Sequence, residues 1–403
     1  MNAPGPRLFV VLAVAALAVG GAVFGAGWID HGSLSPSVPR GDAPPWPLFD
    51  GAPSVYDSAA GVDLWFIAGA ASWTYNGAGW SNITATAGTP SHMGENARMA
   101  FDASDGYVLL YGGETGGPDP QPLTDSWAFQ DGRWTNITAS VTGAPSPRLL
   151  GVMAYDTTDR EVVLFGGTLA GTTTFVNETW TYAAGHWSNL SIGAPPPLPG
   201  AAFLPTAVLG LVDDPAAGYL LYYDPLASCF PNCAAVWTFA HGAWTNLSGA
   251  DEEEPTIELF AALTYDSTAG APIALAGCSS NAGYTCAKPY GTFAFRNGSW
   301  SPVNARPEPA ARYSGGSVDD PMDGGVMVVA GCCWADFSGL SGPWQDVLVF
   351  DHGGWSERTP WGGGGPGILT NDGSWLAIAM LGAAVAAIVA LAVAPRRPPP
   401  PEG

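Results

Sequence analysis

Lysine is nearly missing: Lys288 is the only one in 403 residues, and lysine plus arginine number 13 against 35 aspartates and glutamates. The resulting net charge of −22 repels phosphate backbones and excludes nucleic acid as a partner. Histidine is also scarce, at five residues, so any metal chemistry would have little imidazole to draw on. Six cysteines are present and none shows the C-x-x-C spacing of a zinc site. No glycine-rich phosphate loop is visible, nor a Gly-x-Ser-x-Gly elbow between a strand and a helix. A pair of catalytic carboxylates converges only in space and leaves no local signature, so its absence from the sequence pattern excludes nothing.

What is abundant points to one large all-β domain with accessory segments. The chain holds 54 glycines, 37 prolines and 17 tryptophans, a composition of many short strands and tight turns. Two apolar stretches stand apart. Leu8 to Phe24, preceded by Arg7, reads as an export signal or signal anchor within residues 1–28. Trp375 to Ala394 is uncharged, long enough to cross a hydrocarbon core, and followed by Arg396 and Arg397, which favour the cytoplasmic side. The expected order is a linker (29–51), the main domain (52–358), a glycine-rich tether (359–374), a membrane helix (375–394) and a cytoplasmic tail (395–403), with the main domain outside the cell. The cysteines suit that oxidising side: Cys229 with Cys233 and Cys278 with Cys286 are candidate local disulfides. Adjacent Cys332 and Cys333 are either a vicinal bridge or free thiols.

One pattern recurs six times: an aromatic residue, four residues, then tryptophan. The copies are Tyr75/Trp80, Phe129/Trp134, Tyr182/Trp187, Phe239/Trp244, Phe295/Trp300 and Phe350/Trp355, with tryptophans 54, 53, 57, 56 and 55 residues apart. Turns such as Asp131-Gly132 and Asn297-Gly298 between aromatic runs signal hairpins. Upstream lies an apolar run, and before it a short strand closed by an acidic turn: Tyr56-Asp57, Phe101-Asp102, Tyr155-Asp156, Val212-Asp213, Tyr265-Asp266 and Val318-Asp319. Four strands per repeat make a propeller blade, which buries its faces only by stacking on neighbours. The expected fold is therefore an all-β six-bladed propeller, with a seventh blade from residues 28–50 as the alternative. How the ring closes is not legible, because the first and last repeats each supply four strands.

The di-glycine after an apolar strand (Gly112-Gly113, Gly166-Gly167), then an aromatic strand and Gly-x-Trp, resembles the kelch repeat, whose period is about 50 residues. The resemblance covers roughly residues 52 to 358 and departs from the pattern in blade 4, where Tyr223-Asp224 replaces the di-glycine. It implies a comparison with the galactose-oxidase-like copper enzymes of this group, which need histidine and tyrosine ligands around one metal. His186, His241 and His352 fall in turns of three different blades, so no such centre is expected, and no cofactor is assigned. Sialidase-type Asp boxes are also absent.

In a propeller the loops between second and third strands share one face with the links between blades. Those loops are long in blades 2 to 6 and carry all six cysteines. Candidate binding residues there are Asp119, Asp125, Phe175, Phe230, Tyr284, Trp334 and Trp344, since aromatics with carboxylates suit sugar or peptide recognition. The same residues would also serve to pack the loops on themselves. Asp251, Glu252, Glu253 and Glu254 form an acidic run in the link between blades 4 and 5, a solvated face by default and a weak calcium site as the sharper alternative. Six glycosylation sequons occur, at Asn82, Asn136, Asn177, Asn189, Asn246 and Asn297. Four belong to the phrase Trp-x-Asn-Ile/Leu-Thr/Ser, where asparagine shares a strand face with the buried tryptophan and is expected to be structural and partly covered. Asn177 and Asn297 are the better acceptors. The functional expectation is a surface-anchored module that binds an extracellular protein or glycan. Its alternatives are a structural envelope glycoprotein and a carbohydrate-active enzyme using carboxylates in the central pocket.

Overall fold

The computed structural model describes residues 52–357 except 68–70, 91, 94–95, 116–120, 150, 170–171, 173, 191–194, 197–209, 225–234, 249–259, 277–290, 308, 310–315 and 330–346. The two apolar end segments, the tether and any blade from 28–50 lie outside the described residues. No helix among the described residues is long and apolar enough to cross a membrane.

Six four-stranded antiparallel sheets follow one another along the chain, each in simple up-and-down order. Blade 1 is β1 (Ser54–Asp57), β2 (Val62–Ile67), β3 (Ala71–Tyr75) and β4 (Trp80–Asn82), followed by a one-turn helix α1 (Thr84–Ala87). Blade 2 is β5 (Arg98–Asp102), β6 (Tyr107–Tyr111), β7 (Ser126–Gln130) and β8 (Arg133–Asn136). Blade 3 is β10 (Val152–Asp156), β11 (Glu161–Phe165), β13 (Thr179–Ala183) and β14 (His186–Leu190), with a short upper ribbon of β9 (Arg148–Leu149) and β12 (Thr168–Leu169). Blade 4 is β15 (Gly210–Asp214), β16 (Tyr219–Asp224), β17 (Ala235–Ala240) and β18 (Ala243–Asn246). Blade 5 is β19 (Phe260–Asp266), β20 (Ala271–Ala276), β21 (Thr292–Arg296) and β22 (Ser299–Val303). Blade 6 is β23 (Gly316–Asp320), β24 (Gly325–Val329), β25 (Val347–Asp351) and β26 (Gly354–Glu357).

The first strands of adjacent blades touch all the way round, including β1 against β23. The ring thus closes by blade 1 meeting blade 6, with no strand exchanged between them. The described residues contain six blades.

The alternation of side chains explains why second strands are apolar throughout. In β6, Val108 and Leu110 enter a core shared with Leu64 and Phe66 of blade 1, whereas Leu109 and Tyr111 enter one shared with Val162 and Leu164 of blade 3. The described residues therefore form six wedge-shaped cores, one per pair of neighbouring blades. The repeated aromatic and tryptophan are cross-strand partners, for example Phe239 opposite Trp244. Each tryptophan also reaches the blade before it: Trp244 lies 5.0 Å from the Phe239 ring and 4.8 Å from the Phe165 ring of blade 3. Such tilted pairs add to plain area burial.

The first-to-second-strand turns carry the repeated aspartate. Asp57, Asp102, Asp156, Asp214, Asp266 and Asp320 end the inner strands, and each accepts backbone N–H bonds within its turn, as in Thr268 and Ala269 to Asp266 Oδ1 at 2.8 and 2.9 Å. This corrects the sequence alignment in two blades. Where the sequence pattern equates Val212-Asp213 and Val318-Asp319 with Tyr56-Asp57, the turn aspartates are Asp214 and Asp320, one residue later. The adjacent aspartate pairs made the register ambiguous in sequence. Strand pairing resolves it, because Asp214 faces Tyr219 and Asp320 faces Gly325 as Asp57 faces Val62.

Candidate functional site

The two ends of the ring differ sharply. On the lower end, the turns between third and fourth strands are two residues in blades 2 to 6 (131–132, 184–185, 241–242, 297–298, 352–353). On the upper end, the second and third strands are joined through 112–125, 166–178, 225–234, 277–291 and 330–346, against only 68–70 in blade 1.

Of the upper-face candidates, Asp125 and Phe175 are described. Asp119, Phe230, Tyr284, Trp334, Trp344, Asp251 to Glu254 and all six cysteines lie outside the described residues. Asp125 Oδ2 is 2.8 Å from His92 Nε2, joining the link before blade 2 to the loop of that blade. The His92 ring stands 5.7 Å from the ring of half-buried Trp127. Beside them Asn96 donates to Glu114 Oε1 at 3.0 Å. Phe175 is half-buried and bridges to Thr168, so it helps fold its own loop. At its base Arg148, only 3% exposed, donates to Glu178 Oε2 at 2.7 Å and to the Gly166 carbonyl at 3.1 Å. Burial pushes the Glu178 carboxyl up, but the bonds from Arg148 and Trp180 outweigh it and hold the group below its ordinary range.

The lower end carries a constellation that the sequence reading missed. The penultimate residue of each inner strand forms a ring of six equivalent positions around the axis: Tyr56, Phe101, Tyr155, Asp213, Tyr265 and Asp319. Four are aromatic and two are carboxylates. Three of them reach back to the turn of the preceding blade. Tyr155 OH is 2.8 Å from Ser104 Oγ, the Thr157 amide approaches Asp213 Oδ1 at 3.5 Å, and the Ser267 amide and hydroxyl donate to Asp319 Oδ1 at 3.1 and 3.0 Å. Burial pushes both Asp213 and Asp319 up to about 6, opposed by these bonds and reinforced by neighbouring aspartates. Tyr265, between them in the ring, is raised by burial and by the field of Asp214, Asp319 and Asp213. Two carboxyls that titrate near neutrality beside a phenol are suited to proton transfer or to gripping a cation. The signal that could have found them was the doubled aspartate in two repeats where the others have an aromatic before the turn.

The histidines of the lower turns do not converge. His241 Nδ1 is 2.9 Å from Asp159 Oδ1 of blade 3, and His186 and His352 belong to other blades. Among the described residues no group of three histidine, cysteine or acidic side chains is placed to hold a metal.

Three of the sequons are closures of the blade edge. Asn82, Asn136 and Asn246 accept through Oδ1 from the amides of Thr84, Thr138 and Ser248 at 3.0, 3.0 and 2.8 Å. The hydroxyls of those residues accept from the amides of Ser72, Ser126 and Val236 at the start of the third strand. The expected partial cover is corrected: Asn82, Asn136 and Asn246 are exposed, each the last residue of its outermost strand, and Asn189 within β14 is exposed as well. Asn177 and Asn297 are exposed as well.

These features define a six-bladed β-propeller with a loop-rich upper end and an aromatic–carboxylate lower ring. The chain matches no protein-family model and no curated protein sequence. It is similar in shape to the solved structure of YjhT, with a TM-score of 0.51 at 13% sequence identity over 80% of this chain and 99% of that one. At that identity the likeness shows the fold alone.

Proposed function

We propose that this propeller is a kelch-type recognition module displayed at the cell surface, binding an extracellular protein or glycan through its upper end. The observation that carries the reading is the asymmetry of its connections: long second-to-third-strand segments all leave the upper end, while the lower end is closed by short turns. The half-exposed His92–Asp125 pair against Trp127 supplies hydrogen-bonding groups beside an aromatic surface there. The test is a glycan-array and protein-partner binding screen with the full chain, with and without calcium. Saturable binding should fall at least tenfold in His92→Ala and Asp125→Asn and should survive Asp213→Asn. Binding untouched by the upper-end changes would sink this reading.

A second reading, a carbohydrate-active enzyme, is favoured by Asp213 and Asp319, whose shifted carboxyls flank Tyr265. It requires glycoside hydrolysis by the wild type that drops by two or more orders of magnitude in either Asp213→Asn or Asp319→Asn. Hydrolysis unaffected by both changes would remove it.

A further inference from the structure

The junction between blades 1 and 6 differs from the other five in one covalent respect: elsewhere the chain runs from the last strand of one blade into the first of the next. Among the described residues, side chains and packing hold the ring shut here. Ser54 Oγ donates to the Ser317 carbonyl at 2.9 Å, and Tyr75 OH donates to Asp323 Oδ2 at 2.8 Å. Trp65 lies so close against Gly316 that a Cβ there would collide with its ring.

Inside this junction is a residue the repeat does not call for. Asp63 of β2 pairs with Tyr56 of the lower ring. The residues in the same place in blades 2 to 6, each paired with its own ring residue, are Val108, Val162, Leu220, Pro272 and Val326. Asp63 is 0% exposed, and neither of its carboxyl oxygens has a hydrogen-bond partner among the described residues. Trp65 and Ile67, on its side of the strand, pack against Val318, Met327 and Val329 of blade 6, so Asp63 faces that blade too. Three further carboxylates act on it through their fields: Asp320 and Asp319 of β23 and Asp323 of the following turn. The other titratable groups around it are the phenols of its cross-strand neighbours, Tyr56 on β1 and Tyr75 on β3. Among the described residues no cation is opposed to this group.

We propose that the junction of blades 1 and 6 is a proton-held latch, closed while Asp63 keeps its proton and loosened when it is lost. A carboxylate at this place would be a buried charge against three like charges, with no donor to receive it. The least costly relief is for the two blades to part and admit water, which is easiest at the one junction where no strand-to-strand connection runs between neighbouring blades. Burial and the three aspartates push the Asp63 carboxyl up to about 9. The closed ring therefore binds one more proton than the open ring across the range from the ordinary carboxyl value to about 9. Closure loses strength as pH rises through that window and is unaffected above it.

The test compares amide exchange in β1 and β23 of the full chain with Asp63→Val, which restores the valine of blades 2, 3 and 6, each pair at the same pH. The wild-type-to-variant exchange ratio at this junction should climb by up to tenfold per pH unit between about 6 and 9, then level off. Asp63→Asn cannot ionise, carries the same comparison if the valine variant fails to fold, and should likewise exchange without the pH climb. A ratio that stays flat with pH, or a junction less protected in both variants at pH 8, would overturn the latch. Protection of the wild type by added calcium, absent in Asp63→Asn, would overturn it in favour of a cation site.

Discussion

Replacing Trp244 by alanine is expected to cost about 3–5 kcal/mol, the range for deleting a large buried aromatic. The ring fills the outer part of the wedge between blades 3 and 4, within 6.0 Å of Phe165, Phe239 and Tyr222. It also donates through Nε1 to Thr179 Oγ1 of blade 3 at 2.8 Å, in a fully buried bond. Phenylalanine should separate the two contributions. Trp244→Phe keeps an aromatic ring in the wedge and orphans the Thr179 hydroxyl, a further loss of about 1–3 kcal/mol. Trp187 supplies the control, since its Nε1 is buried without a partner and Trp187→Phe removes no such bond. Chemical denaturation of the three variants should therefore rank Trp244→Ala as the most damaged, Trp244→Phe next and Trp187→Phe least. Equal losses for the two phenylalanine variants would show that the indole bond contributes nothing.

That ranking bears on how much of the molecule is legible in its sequence. The propeller is legible because one wedge core is repeated six times, and repetition multiplies a signal that a single strand gives only faintly. Tyr182/Trp187 and Phe239/Trp244 announce themselves by spacing, and the structure shows why the spacing is five: a two-residue turn makes the pair direct cross-strand neighbours. The lower ring was hidden for the opposite reason. Its members are single residues from six distant strands, and the two that depart from the aromatic rule, Asp213 and Asp319, stand next to the turn aspartates Asp214 and Asp320. In sequence each pair reads as one acidic turn, and only the strand register tells the two roles apart. Asp63 is silent in sequence because a lone aspartate in an apolar run carries no motif. Its meaning comes from the four aliphatic side chains and one proline at the same register, which is a comparison between blades. The structural sequons were legible as a strand motif, but their exposure depends on where each outermost strand stops.

The stability of the whole ring is expected to be greatest in mild acid and to fall from about pH 4 to about pH 7. Eight aspartates of the described residues are raised, with burial the first cause: Asp57, Asp102, Asp156, Asp213, Asp214, Asp266 and Asp319, besides Asp63. A carboxyl raised in the folded state keeps its proton longer there than in the unfolded chain. Its contribution is fully present below the ordinary carboxyl value and is lost as pH rises through the folded one. For Asp213 and Asp319 that window runs from about 4 to about 6. Each is half-buried, so the roughly 3 kcal/mol that a shift of this size implies is reduced by solvent to about 1–2 kcal/mol. The long-range field acts in the same direction, because a net charge of −22 at pH 7 is largely neutralised near the sequence pI of about 4.2 and self-repulsion relaxes with it. Unfolding midpoints measured at several pH values, at both low and high salt, separate the two. The field component is screened by salt, whereas the buried carboxyls respond far less. At high salt the double substitution Asp213→Asn with Asp319→Asn should remove the part of the fall between pH 4 and 6 that belongs to those two groups, while leaving the decline from about pH 4 to about pH 9 that belongs to Asp63. A wild type that instead gains stability from pH 4 to 7 would mean that the inner-strand carboxyls are paired with donors in solution, and that the lower ring is ionised when the protein works.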